Sequence, residues 1–123
     1  MRIVLMAVAA ALGSAFPALG AETRNFDLET TADLAALCSC PPEDPLYAQA
    51  LQFCYGYLAG MAHLHRALVS EKRIERLACP RHEVARDELA SVFLAWVRDN
   101  PAAADAPAAE SVKRAAIAAW PCK

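Results

Sequence analysis

Apolar positions along this chain recur at intervals of three and four, and no segment sustains a two-residue alternation. The first period belongs to helices buried on one face, the second to half-buried strands. At the N-terminus an apolar block from Ile3 to Phe16 follows Arg2 and runs into Pro17 and the small-residue stretch Ala18-Leu19-Gly20-Ala21, with no acid before Glu22. It is shorter than the roughly 20 residues that cross a bilayer and ends at a cleavable sequence, so residues 1–21 read as a secretory signal peptide. Glu22 to Glu29 has no clear period and is expected to be extended. Thr30 then stands three residues before Asp33, a capping-box spacing, with Leu34, Leu37 and Cys38 following at helical intervals. A short first helix should end near Cys40, because Pro41 and Pro42 cannot continue it.

Asp44 and Pro45 offer an N-cap and a first-turn proline for a second helix. Leu51, Cys54, Leu58, Met61, His65 and Leu68 draw one stripe along it. From Pro45 to Leu68 it would run about 36 Å, the longest element and the expected centre of the fold. Ser70 to Leu77 is charged and reads as a frayed continuation or a separate turn. A third helix from about Ala85 carries Leu89, Val92, Phe93, Trp96 and Val97 and stops at Asn100-Pro101. Asp105 and Pro107 would open a fourth, with Val112, Ala116 and Ile117 inward until Trp120-Pro121. The predicted class is all-α, a small four-helix up-and-down or orthogonal bundle.

Composition narrows the functional classes. Of 123 residues, removal of the leader leaves about 102, a single domain over 22–123. Lys and Arg number 12 against 14 Asp and Glu, a net charge of −2, and Arg2 leaves with the leader. A weakly acidic chain gives no support to nucleic-acid binding. With the leader gone, no membrane span remains. All five cysteines, Cys38, Cys40, Cys54, Cys79 and Cys122, lie in the exported part, where an oxidising compartment lets thiols pair. Two disulfides and one spare thiol follow, and each of the five choices of spare leaves three pairings open.

No set of residues suggests catalysis or a cofactor. His63 and His65 are two apart, so on a helix they face different directions, whereas helical metal-ligand pairs need a spacing of three or four. There is no Cys-x-x-Cys for redox chemistry or haem attachment, and Ser39, Ser70, Ser91 and Ser111 lack a nucleophile elbow. Gly56 and Gly60, one turn apart on the second helix, would let another helix of this chain, or of a second copy in a homodimer, come close. Tyr55 and Tyr57 point about 200° apart, so one can pack inward while the other faces a surface.

Taken in order, Leu37-Cys38, Phe53-Cys54-Tyr55-Gly56-Tyr57-Leu58-Ala59-Gly60, Cys79-Pro80, Val97-Arg98-Asp99-Asn100-Pro101 and Trp120-Pro121-Cys122 resemble the Rap/Tai immunity-protein family of type VI secretion. The resemblance spans essentially the whole exported chain. It implies a small, non-enzymatic periplasmic protein, similar in fold to the HdeA-like acid chaperones, that binds and blocks a secreted toxin. It also implies that Cys38, Cys54, Cys79 and Cys122 form structural disulfides. Cys40 departs from the pattern, so whether Cys38 or Cys40 pairs with Cys54 stays open, and the leftover thiol is either buried or bridges two copies. In up-and-down order the second and fourth helices end on the same side, which brings Cys79 near Cys122. That bridge would contribute roughly 4 kcal/mol and the shorter loop to Cys54 roughly 3 kcal/mol.

For a protein partner, the cluster His65, Arg66, Lys72, Arg73, Arg76, Arg81 and His82 is the most distinctive surface feature, because such charges steer association with an acidic surface. Tyr57, Arg66, Lys72, Arg73 and Arg76 are the expected contacts. The competing reading is a periplasmic HdeA-like chaperone or stress protein, which would loosen in acid and expose apolar surface.

Overall fold

Thr31, the first residue of the first helix, is fully buried, and the reason lies 75 residues further on. The computed structural model describes residues 20–123, so the expected leader lies, but for its last two residues, outside the described residues. A 3-10 turn, Thr23–Asp27, precedes α1 (Thr31–Cys38), followed by α2 (Tyr47–Ser70), α3 (Arg86–Asp99), a second 3-10 turn (Pro101–Ala103) and α4 (Ala108–Ala119). The described residues are all helix, turn and loop, as the apolar period implies.

The first turn of a helix has backbone N–H groups with no partner inside the helix. In α1 they are satisfied from two sides. Locally, Thr30 Oγ1 accepts from Asp33 N at 3.2 Å while the Asp33 carboxylate accepts from Thr30 N at 2.9 Å, the capping box its spacing predicts. At long range, Thr31 N donates to Ala106 O at 2.8 Å and Ala32 N to Ala104 O at 3.0 Å. Thr31 Oγ1 donates to the same Ala106 carbonyl at 2.8 Å and lies 2.7 Å from Ser111 Oγ, a buried hydroxyl pair. The link between α3 and α4 therefore caps α1, and α1 touches α2, α3, α4 and the preceding 3-10 turn. The hub of the fold is this eight-residue helix, where the length of α2 suggests that element instead.

The main core gathers Leu34 of α1, Cys54 and Leu58 of α2, Ala90 and Phe93 of α3, and Ala108 and Val112 of α4. A second cluster holds Ala21, Leu37, Cys40 and Ala50, roofed by Phe26 and Phe53 in edge-to-face contact at 5.4 Å. The burial of the apolar stripes differs from expectation in two places. On α4, Ser111 and Ala115 are buried while Ile117 is exposed, because the hydroxyl pair with Thr31 turns that face inward. On α2, Ala50, Cys54 and Leu58 are buried but the stripe beyond Met61 is not; the second half of α2 projects past the core.

Helix starts also shift. α2 begins at Tyr47 rather than Pro45, and Asp44 Oδ1 accepts from Leu46 N at 2.7 Å in the turn before it. α4 begins after Pro107, and Asp105 makes no cap. α2 ends in a Schellman motif: Arg73 N reaches Leu68 O at 2.9 Å and Lys72 N reaches Val69 O at 3.0 Å. Lys72 sits there at φ 56°, a left-handed position that usually belongs to glycine.

Two disulfides close the structure. Cys38–Cys54 spans 16 residues and ties the end of α1 to α2; Cys79–Cys122 spans 43 and ties the α2–α3 connection to the segment after α4. Cys40 is a free, buried cysteine, 7% exposed. Gly56 and Gly60 depart from the expected packing against another helix of this chain: both are exposed, and a Cβ added at either would meet nothing within 4 Å. Among the described residues no other helix approaches them, because α2 presents Ala50, Cys54 and Leu58 to its neighbours.

Candidate functional site

Because the second half of α2 overhangs the core, it forms one wall of a groove. The connection from Arg76 to Ala85 forms another, and Arg86 and Leu89 of α3 with Val112, Lys113 and Ala116 of α4 and Trp120 complete it. The groove has a volume of about 1000 Å³ and is open to solvent. Its surface is largely apolar, from Met61, Val69, Leu77, Leu89, Val112 and Trp120.

The connecting wall has no regular secondary structure to hold it, so three tertiary links do so. Leu77 N donates to His65 Nε2 at 3.1 Å, anchoring it to α2. Cys79 N donates to Trp120 O at 2.7 Å, and the Cys79–Cys122 disulfide lies beside that bond. The wall is thus tethered at Leu77 and Cys79 although most of it is exposed.

The rim is cationic. Arg66, Arg76, Arg86 and Lys113 line the groove, against a single lining acid among the described residues, Glu83. Two of these cations are held in place: Lys113 Nζ lies 2.6 Å from Glu110, and the Arg86 guanidinium stands 5.4 Å from the centre of the Tyr55 ring. Glu110, hydrogen-bonded to Lys113 and Arg114, keeps its carboxyl below the ordinary range. Among the described residues Arg66 and Arg76 make no ion pair. His82 turns to Glu88 at 2.8 Å. Among the described residues Leu64, Ile74, Leu77 and Ile117 are the exposed large apolar side chains, and the first three lie in the overhanging half of α2 and its connection.

Of the expected contact residues, the fold brings Arg66 and Arg76 together in the groove. Lys72 and Arg73 stand exposed at the end of α2, outside its lining. Tyr57 is half-buried against the main core, and burial raises its phenol above the ordinary value; it does not line the groove either. Arg86, Lys113 and Trp120 were absent from the expected contacts. They come from sequence positions remote from the charged segment, and only helix packing joins them to it.

Among the described residues no three His, Cys, Asp or Glu side chains gather as a metal site would require, and no helix is long and apolar enough to cross a membrane. A model of the Rap1a immunity proteins matches residues 30–122. No curated protein and no solved structure matches the chain.

Proposed function

Since the chain belongs to the Rap1a immunity protein family, over a match that takes in all four helices and both disulfides, we propose that it is an exported, non-enzymatic antidote that binds and occludes a toxin delivered by type VI secretion. The observation that carries this reading is the family match. The two disulfides support the exported part of it, since bridges of this kind persist in oxidising compartments such as the periplasm.

The mechanism is steric. A toxin is silenced when a preformed surface covers its working face, and rigidity helps because less conformational freedom is lost on binding. Here the Cys79–Cys122 crosslink and the anchored connection hold the groove's irregular wall, and the Cys38–Cys54 crosslink with the Thr31–Ala106 capping bonds fixes the helices behind it, before any partner arrives. The apolar lining supplies area to bury, and the cationic rim speeds and orients encounter with an acidic surface.

The test is co-expression with the toxin-like product of the neighbouring gene, directed to the periplasm. Cells should survive only when the antidote is exported with its own N-terminal segment, and the two proteins should co-purify. Absence of both protection and binding would sink the proposal.

A further inference from the structure

We propose that the groove between α2, the Arg76–Ala85 connection, α3 and α4 receives an acidic amphipathic segment of the protein partner, apolar side chains down and carboxylates at the rim; this rests on the reading of the chain as a toxin-binding antidote.

Charge complementarity selects this occupant. The chain carries a net charge of −2, yet among the described residues the groove is lined by Arg66, Arg76, Arg86 and Lys113 with Glu83 as the acid in the lining and Glu110 paired to Lys113 beside it. The positive rim is therefore a local concentration and not a consequence of overall charge. The apolar floor needs apolar side chains to displace water from it. The four cations stand on four different elements, α2, the connection, α3 and α4, so each wall of the groove contributes positive charge. A fatty acid or other single-headed amphiphile would answer only one of the two unpaired guanidinium groups, whereas a peptide segment can bring a carboxylate to each of Arg66 and Arg76. Arg66 and Arg76, which make no ion pair among the described residues, can turn to an incoming carboxylate without breaking an existing one. A guanidinium offers two parallel donors to such a group.

The experiment selects from an unbiased twelve-residue peptide library on the oxidised mature protein, then measures chosen peptides by the fluorescence of Trp120 in a Trp96→Phe background. The expected result is a consensus of apolar residues flanked by Asp or Glu, an emission shift of Trp120, and affinity that falls with added salt. The double variant Arg66→Glu, Arg76→Glu, checked by circular dichroism for an unchanged fold, should bind these peptides at least tenfold more weakly. A neutral or basic consensus, no enriched consensus, or binding unaffected by the double variant would overturn the proposal. So would palmitate binding without any peptide binding, or a groove occupied by a second copy, seen as a dimer that the double variant dissociates. Failure here is distinct from failure of the antidote reading: toxin binding that survives the double variant overturns the groove assignment alone, while absence of toxin binding in the unaltered protein overturns the antidote.

Discussion

Cys79 and Cys122, 43 residues apart, stand with their Cα atoms 5.0 Å apart, and their disulfide lies where the groove's irregular wall meets the end of α4. The same bridge that restricts the unfolded chain thus also shapes the candidate site. Replacing both cysteines by serine should lower unfolding free energy by roughly 4 kcal/mol in the chain-entropy model. It should also raise hydrogen exchange at Leu77 to Ala85 more than in the α1 hub. Denaturant titration and site-resolved exchange measure the two effects; equal loosening of both regions would show that the bridge has no local role.

Cys40 is buried in the smaller cluster while Cys38 holds Cys54. Thiol reagents should therefore find no reactive group in the native protein and one after unfolding without reductant. Cys40→Ala should leave both bridges intact and lower stability by about 1 kcal/mol. Mass analysis under non-reducing conditions reads the outcome.

Asp33 is the node between the first 3-10 turn and α1. Burial works against its charge, but hydrogen bonds from Asn25 and Thr30, with the nearby Arg24 charge, outweigh it and leave the carboxyl below its ordinary range. A folded pKa below the unfolded one means that the unfolded chain binds the extra proton. The stabilisation is then present above the unfolded value, about 3.9 for Asp, and is lost as pH falls through the folded value. Asp33→Asn should be less stable than the parent at pH 7, with the difference shrinking below about pH 4. Urea titrations across that range provide the check.

Lys72 holds a left-handed backbone conformation at the end of α2. Glycine there removes a strain of about 1 kcal/mol. Lys72→Gly should raise the melting temperature, and because Lys72 does not line the groove, binding there should be unchanged. Weaker binding would show that the contact surface reaches beyond the groove.

The hydroxyl pair Thr31–Ser111 gives a further test. Thr31→Val leaves the buried Ser111 hydroxyl without its partner, while the Ala106 carbonyl keeps only the backbone N–H of residue 31, a loss of about 1 to 3 kcal/mol. The double change Thr31→Val, Ser111→Ala should recover part of that loss in thermal unfolding.

Signals that act within a few residues were legible before any tertiary structure. The Thr30–Asp33 capping box, the arrest of α1 before Pro41-Pro42, the end of α3 at Asn100-Pro101 and the all-helical class follow from short-range hydrogen bonding, ring geometry and apolar period. Features that depend on which helix faces which were not. Ile117 has the spacing of a core residue but is 38% exposed, while the small polar Ser111 is 1% exposed; no periodicity reveals that Thr31 waits to receive its hydroxyl.

The sequence by itself determined the helices, their breaks and, through its ordered cysteines, prolines and aromatic positions, the family, because these depend on local chemistry and on the order of residues. Tertiary structure alone decided that α1 is the hub, that Cys38 rather than Cys40 meets Cys54, and that Arg86 and Lys113 join Arg66 and Arg76 around one groove. Those outcomes rest on contacts between segments tens of residues apart, whose partners are chosen by the joint packing of α1 to α4 and by no property of either segment alone.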